Sequence, residues 1–210
     1  DWGIEEKLNN EFSSLGLYLK LHPLDNYSEV LKSLDIKTNL DVLDNPQNYS
    51  KKNIQLCGLI FKIFKKQSIR GKWATILLND LSGSSEINIY SDVLVKHEDV
   101  LVEKQLILVD AEIKNDTNQG CKIVARRLTL LNDFISEKKF NLTLVMDNFN
   151  NMKEIYNFSK TLFPGNSSLI INIHLNGQAI KFSVKENIKI SSELISNITK
   201  INNVRSISFA

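Results

Sequence analysis

Cysteine, histidine, proline and glycine are all scarce in this 210-residue chain, with two, three, three and eight copies. Two cysteines cannot build a disulfide framework, so a reducing compartment is the default. Cys57 and Cys121 could approach each other on neighbouring strands, but two buried, inert thiols are the expectation. His22, His97 and His174 are scattered and lack zinc spacing. The glycines form neither a phosphate-binding loop nor a dinucleotide fingerprint. No two aspartates stand two positions apart, which removes the commonest local arrangement for two-metal phosphoryl transfer. Neither catalysis nor a metal or cofactor is therefore expected of this chain. Its apolar runs are only a few residues long, so no segment could span a membrane, and no basic-then-apolar leader opens the chain. The first residue is Asp1, not Met, from which we expect a piece of a longer chain.

What is present reads as globular protein, 42% hydrophobic and 24% charged. The formal net charge of +2 is too small to indicate a nucleic-acid partner by itself. Its distribution is more informative. Residues 1–44 hold nine acids against four bases, whereas residues 45–79 contain Lys51, Lys52, Lys62, Lys65, Lys66, Arg70 and Lys72 and no acid.

The hydrophobic period changes along the chain. Ile4, Leu8, Phe12, Leu15 and Leu19 recur at helical spacing, so residues 4–20 form an amphipathic helix that His22-Pro23 closes. His22 is read as packing or capping at that stop. A second short helix places Tyr27, Val30, Leu31 and Leu34 on one face, with a capping box between Asn26 and Glu29. Residues 36–50 are polar, contain Pro46 and read as a connector. Five strands then follow over 54–64, 73–79, 86–90, 106–113 and 122–131, with one helix-like stretch between the third and fourth. That is the strand order of an OB-fold barrel.

After a charged boundary near 133–139, the pattern is strand, helix, strand, strand, helix, strand, over 140–146, 152–162, 169–175, 179–184, 191–201 and 204–209. Asn176-Gly177 signals a hairpin, and Ser191 caps the last helix. The expected class is multidomain α+β: a short N-terminal helical segment and connector (1–48), a five-stranded OB-fold β-barrel (49–132) and a small C-terminal α+β domain (133–210).

The basic block falls on the first strand, the loop after it and the start of the second strand. In OB folds that loop and the face of strands 2 and 3 carry single strands. Lys62, Lys65, Lys66, Arg70 and Lys72 would neutralise phosphates there, and Lys122 and Arg126 on the fifth strand extend the surface. Trp73 points outward if Ala74, Ile76 and Leu78 are core, and could then stack on a base. Arg126 and Arg127 are adjacent, so at most one lies in the groove. Tyr90 is read as packing.

The opening stretch and the second strand also carry a resemblance. Trp2, Glu11, Leu15, Gly16, Tyr18, Leu19 and His22-Pro23-Leu24, followed by "GKWATILLNDLSGSSEINIYSDVL" (71–94), resemble bacterial replicative DNA polymerase III alpha subunits. The resemblance runs from about residue 1 to 131, and past Phe140 it rests on position and architecture. It implies the end of the polymerase fingers and helix-hairpin-helix region, an OB domain that holds single-stranded template DNA, and a last domain that contacts the tau subunit of the clamp loader. The implied setting is chromosomal replication in the bacterial cytoplasm. The polymerase aspartates, their Mg and the sliding-clamp peptide would lie upstream, so the parent would be a nucleotidyltransferase while this part is not catalytic.

Two departures stand out: Lys20-Leu21 replace the family's small residue and Gly before His-Pro, and Thr75 stands where an aromatic is frequent, leaving stacking to Trp73. The alternative is the OB-fold anticodon-binding part of a lysyl- or aspartyl-type aminoacyl-tRNA synthetase, which shares a "GK…ATLxD…G" run. The roughly seventy residues that follow the barrel are too few for its catalytic domain. A free-standing single-strand-binding protein would need neither flanking segment.

Overall fold

The computed structural model describes residues 22–50, 52–69, 71–116, 120–175, 177–201 and 203–210. The helix expected over 4–20 lies outside them. The described residues divide into two compact units, one holding 22–25 and 36–131, the other holding 26–35 and 132–210. Residues 26–35 and 36–50 therefore part company, instead of forming the single segment and connector that the sequence suggests.

The first unit is a closed five-stranded barrel in the order β1-β2-β3-β5-β4. Its strands are β1 (Asn53–Ser68), β2 (Gly71–Asn79), β3 (Ser84–Ile89), β4 (Leu106–Asp116) and β5 (Gly120–Leu130). A helix, Ser91–Lys96, joins β3 to β4. Closure follows from antiparallel pairing of β1 with β2, β2 with β3, β4 with β5 and β1 with β4, and from a short parallel contact of β3 with β5. Alternate side chains Ala74, Ile76 and Leu78 of β2, and Ile87 and Ile89 of β3, are fully buried in the barrel. Each of the buried isoleucines and Leu78 contributes about 1.5–3 kcal/mol through burial. Gly58 is required by close approach: a Cβ there would lie 2.6 Å from Leu78 Cγ and 2.7 Å from the Asn79 carbonyl oxygen.

The polar stretch 36–50 is not a loose connector. It forms helices Asn39–Asp44 and Pro46–Tyr49, with Thr38 Oγ1 capping the first by accepting from the Asp41 N–H. Val42 joins the barrel core, and Asn39 is completely buried. Cys57 is buried, and burial pushes its thiol pKa far up. Cys121 is exposed on β5, and β4 separates the two cysteine-bearing strands. The expectation of buried thiols holds for Cys57 and is corrected for Cys121, and the barrel order, with β4 between β1 and β5, rules out an approach on neighbouring strands.

The second unit is a four-stranded sheet in the order β8-β7-β6-β9. It comprises β6 (Asn141–Met146), β7 (Ser168–Leu175), β8 (Gln178–Ser183) and β9 (Val204–Phe209), with helices Met152–Lys160 and Ser192–Thr199. Ser191 Oγ accepts from the Leu194 N–H at 3.2 Å, the cap expected from sequence. β7 and β8 form a hairpin in which Leu175 pairs with Gln178, and Gly177 takes φ +80°, a conformation glycine adopts without steric cost. One further helix, Leu131–Glu137, occupies the stretch that the sequence marks only as a boundary.

Residues 26–35 contribute the helix Ser28–Ser33, which lies against β9 and buries Val30 completely. The Asn26–Glu29 capping box does not form. Tyr27 occupies the cap position but makes no side-chain capping bond, its hydroxyl instead donating to Asn132 Oδ1 at 2.7 Å, and Glu29 pairs with Lys32 at 2.6 Å.

Candidate nucleic-acid interface

The barrel presents one outward face whose composition follows from register. Opposite the core residues of β2 lie Trp73, Thr75 and Leu77, which pair across β1 with Lys66, Phe64 and Lys62. On the other side Thr75 pairs with Asn88, so Glu86, Asn88 and Tyr90 share this face. The parallel pairing of Asn88 with Val124 brings Lys122 of β5 onto it, and Lys122 in turn pairs with Lys114 of β4.

The floor is short and tied down. Thr75 Oγ1 donates to Asn88 Oδ1 at 3.2 Å, and Asn88 Nδ2 donates to the Ile123 carbonyl at 3.4 Å. Three aromatic rings stand around it: Phe64 is 47% exposed, Tyr90 is 42% exposed and Trp73 is half-buried. Two of them carry an ammonium: Lys66 Nζ sits 5.0 Å from the Trp73 ring centroid, and Lys114 Nζ 5.9 Å from that of Tyr90. Rings with π-faces next to ammonium groups are suited to a polyanion that also carries planar bases, and of the two ammonium groups Lys114 is also ion-paired with Glu112 at 3.0 Å.

The residues expected from sequence are divided by this geometry. Lys62, Lys66, Trp73 and Lys122 come together on the outward face. Lys65 and Lys72 do not: they pair with Ala74 and Gln67, on the opposite side of the β1–β2 hairpin. Lys65 is moreover bound to Glu98 at 3.0 Å. Arg126 is exposed but ion-paired with Glu112, whose carboxyl is held below its ordinary range first by that hydrogen bond and also by Lys114. Arg70 lies outside the described residues. The β4–β5 ladder shifts register at Asp110/Ala111, which breaks alternation and leaves both Arg126 and Arg127 exposed.

Phe64, Tyr90 and Lys114 are missed by sequence reasoning. Phe64 reaches the surface because the β1–β2 register slips between Ile60 and Lys62, reversing the faces of the residues beyond. Tyr90 had a usable signal, since it continues the outward set Glu86 and Asn88.

A second polar constellation closes one end of the barrel. Asp80 Oδ1 accepts from the Ser82 N–H at 2.7 Å and the Gly83 N–H at 3.0 Å, while Oδ2 accepts from the Asn39 N–H at 2.7 Å. Asn39 Nδ2 donates to the Leu78 carbonyl at 2.9 Å, and its Oδ1 accepts from Ser85 Oγ at 2.8 Å. His22 belongs here as well. The Leu24 N–H donates to its Nδ1 at 3.0 Å, so the ring proton resides on Nε2 and is given to Asn79 Oδ1 at 2.8 Å. Burial lowers the His22 pKa below 6.5, and the Asn79 bond opposes that shift in part. His22 is a structural anchor, the packing role expected of it. Among the described residues no cluster of three or more His, Cys, Asp or Glu side chains could hold a metal ion. Among those same residues no helix is long and apolar enough to cross a membrane.

A closed barrel of this strand order with a basic, aromatic outward face defines an OB-fold protein, here joined to a small α+β unit. Comparison with known sequences goes further. No family model matches the chain. It is 29% identical over 174 residues to the DNA polymerase III subunit alpha of Rickettsia felis, covering 81% of this chain and 14% of that protein. It is 30% identical over 146 residues to that of Rickettsia conorii, covering 69% of this chain and 12% of the other. With the subunit of Neisseria meningitidis serogroup B it shares 29% identity over 133 residues. Over most of its length this chain is thus a relative of bacterial DNA polymerase III alpha subunits, in keeping with a carboxy-terminal region of that subunit. It spans about one seventh of the length of these curated relatives.

Among solved structures, it resembles asparaginyl-tRNA synthetase from Pyrococcus horikoshii (TM-score 0.37, 14% identity, 46% of this chain and 23% of that one). A mitochondrial single-stranded DNA binding protein from S. cerevisiae gives TM-score 0.34 at 14% identity, over 40% of this chain and 94% of that one.

Proposed function

We propose that this chain is the carboxy-terminal, non-catalytic part of a DNA polymerase III alpha subunit. In this reading it acts in chromosomal replication in the bacterial cytoplasm. Residues 1–48 end the polymerase fingers and helix-hairpin-helix region, and residues 49–132 bind single-stranded template. Residues 133–210 dock the tau subunit of the clamp loader, and the sliding clamp is engaged by upstream segments of the parent. Support for the DNA-binding half comes above all from one observation: Lys62, Lys66, Lys114 and Lys122 share an outward barrel face with Phe64, Trp73 and Tyr90. Lysines there would exchange counterions for phosphates while the rings stack on bases.

Fluorescence anisotropy on a labelled oligothymidine tests the first half. Weak binding that falls steeply with salt is expected, and no binding at about 50 mM salt sinks the reading. Hydrogen exchange of the full chain with the tau subunit tests the second half. Slowed amides within 132–210 are expected, and protection confined to the barrel would exclude docking by the second unit.

A further inference from the structure

The second unit ends its sheet on a strand whose outer edge no described strand occupies. In the tight β7–β8 hairpin the pairs Leu175–Gln178, Ile173–Ile180 and Ile171–Phe182 alternate with His174–Ala179 and Asn172–Lys181. A hairpin closed by a two-residue turn bonds its closing pair and every second pair after it. Gln178, Ile180 and Phe182 therefore spend their N–H and C=O groups on β7. Those of Ala179, Lys181 and Ser183 point away from the sheet. The Val184 N–H bonding to the Leu169 carbonyl at 3.0 Å keeps the same phase.

Side chains on this strand alternate in a way an edge normally avoids. Ile180 and Phe182 lie on the face of buried Ile171 and Ile173, yet Ile180 is 38% exposed. Phe182 is half-buried and meets Phe149 edge-on at 6.0 Å, and Phe149 is itself 45% exposed. The helix-side face of the sheet thus continues past its last strand as an uncovered apolar ledge. On the other face Ala179, Lys181 and Ser183 are exposed. Lys181 sits at the middle of the outward-bonding positions, and residues 178–189 hold Lys181, Lys185 and Lys189 against Glu186.

From these positions we infer that the β8 edge accepts an extended segment of a partner protein as a fifth strand. That segment carries apolar side chains at every second position and acidic ones between them. The inference rests on the docking reading of the second unit and names the surface and chemistry of its occupant. Backbone bonds to Ala179, Lys181 and Ser183 supply affinity, the ledge of Ile180, Phe182 and Phe149 takes the apolar positions, and Lys181 faces the acidic ones. A second copy of this chain is disfavoured as occupant, since antiparallel self-pairing centred on Lys181 sets lysine opposite lysine.

The probe is a capped seven-residue peptide of alternating glutamate and valine, with a lysine–valine peptide as its counterpart. The readout is residue-resolved hydrogen exchange on the full 210-residue chain. Peptide at about ten times its Kd should slow the Ala179, Lys181 and Ser183 amides by about tenfold. The Ile180 and Phe182 amides, already bonded to β7, should change little. K181E should weaken the acidic peptide by roughly three- to tenfold and favour the lysine peptide. S183P removes only an outward donor, which an edge strand tolerates, and should abolish the effect with the circular dichroism unchanged. No slowing at these amides, or equal slowing by both peptides, overturns the inference.

The tau subunit provides the second arm. Protection in 132–210 that K181E and S183P leave intact overturns the β8 assignment while docking stands. Peptide binding at β8 without tau protection supports the β8 assignment and removes the docking reading.

Discussion

Trp73 and its lysine make the sharpest test of the barrel face, because the two residues are coupled before any ligand arrives. Lys66 Nζ lies 5.0 Å from the ring centroid, so a base that stacks on that side must displace an ammonium. An exposed cation–π contact contributes about 0.5–1 kcal/mol. Stacking of a base returns about 1–3 kcal/mol. The net gain through Trp73 is therefore about 0–2.5 kcal/mol, and Trp73→Ala should weaken binding by at most about seventyfold. The loss should be the same at every salt concentration, since no charge is removed. Lys66→Met should behave differently. One phosphate contact disappears, which reduces the salt slope by about 0.7 and costs most at low salt. The ring is at the same time released, which is worth about twofold to fivefold and persists at high salt.

The binding curves of Lys66→Met and the parent chain should consequently cross as salt rises. Anisotropy of a labelled single strand, titrated from about 50 to about 500 mM salt, reads both effects. If the Lys66→Met slope is unchanged and its curve does not cross that of the parent, the face described above is not where the strand lies.

Two further outcomes concern the barrel end. Asn39→Ala removes donors from two carbonyls and leaves the buried Ser85 hydroxyl without its acceptor. A loss of about 2–4 kcal/mol in urea unfolding is expected, and less than about 1 kcal/mol would refute a structural role for the network. His22 prefers its neutral form when folded, because its pKa is lowered by burial. The unfolded chain then binds more protons, so His22's contribution is complete above pH 6.5 and is lost as pH falls through the depressed folded value. Unfolding free energies measured from about pH 8 to about pH 5 should decline in the parent and decline less in His22→Gln; parallel curves would contradict this.

The strands of both units were legible from periodicity because burial imposes it. Ala74, Ile76 and Leu78 alternate since a pleated strand has two faces and only one meets the core. Ser191 announced its helix because a capping oxygen acts within one turn. Such interactions are local, and a single sequence displays them. The connector 36–50 was illegible for the opposite reason. Asn39 and Asp80 are 41 residues apart, and nothing near either one signals that they will satisfy each other.

By itself, then, the sequence determined the strand order, the helix between β3 and β4, the basic block and the relationship to the polymerase subunit. Only the tertiary structure decided which charges act together. A register slip in β1 turned Phe64 outward, and strand parity sent Lys65 and Lys72 to the side away from Trp73. Pairing across β3, β5 and β4 brought Tyr90, Lys122 and Lys114 to the same face. Charge and aromaticity belong to residues one at a time, whereas a surface belongs to strands in register, and one bulge is enough to reassign it.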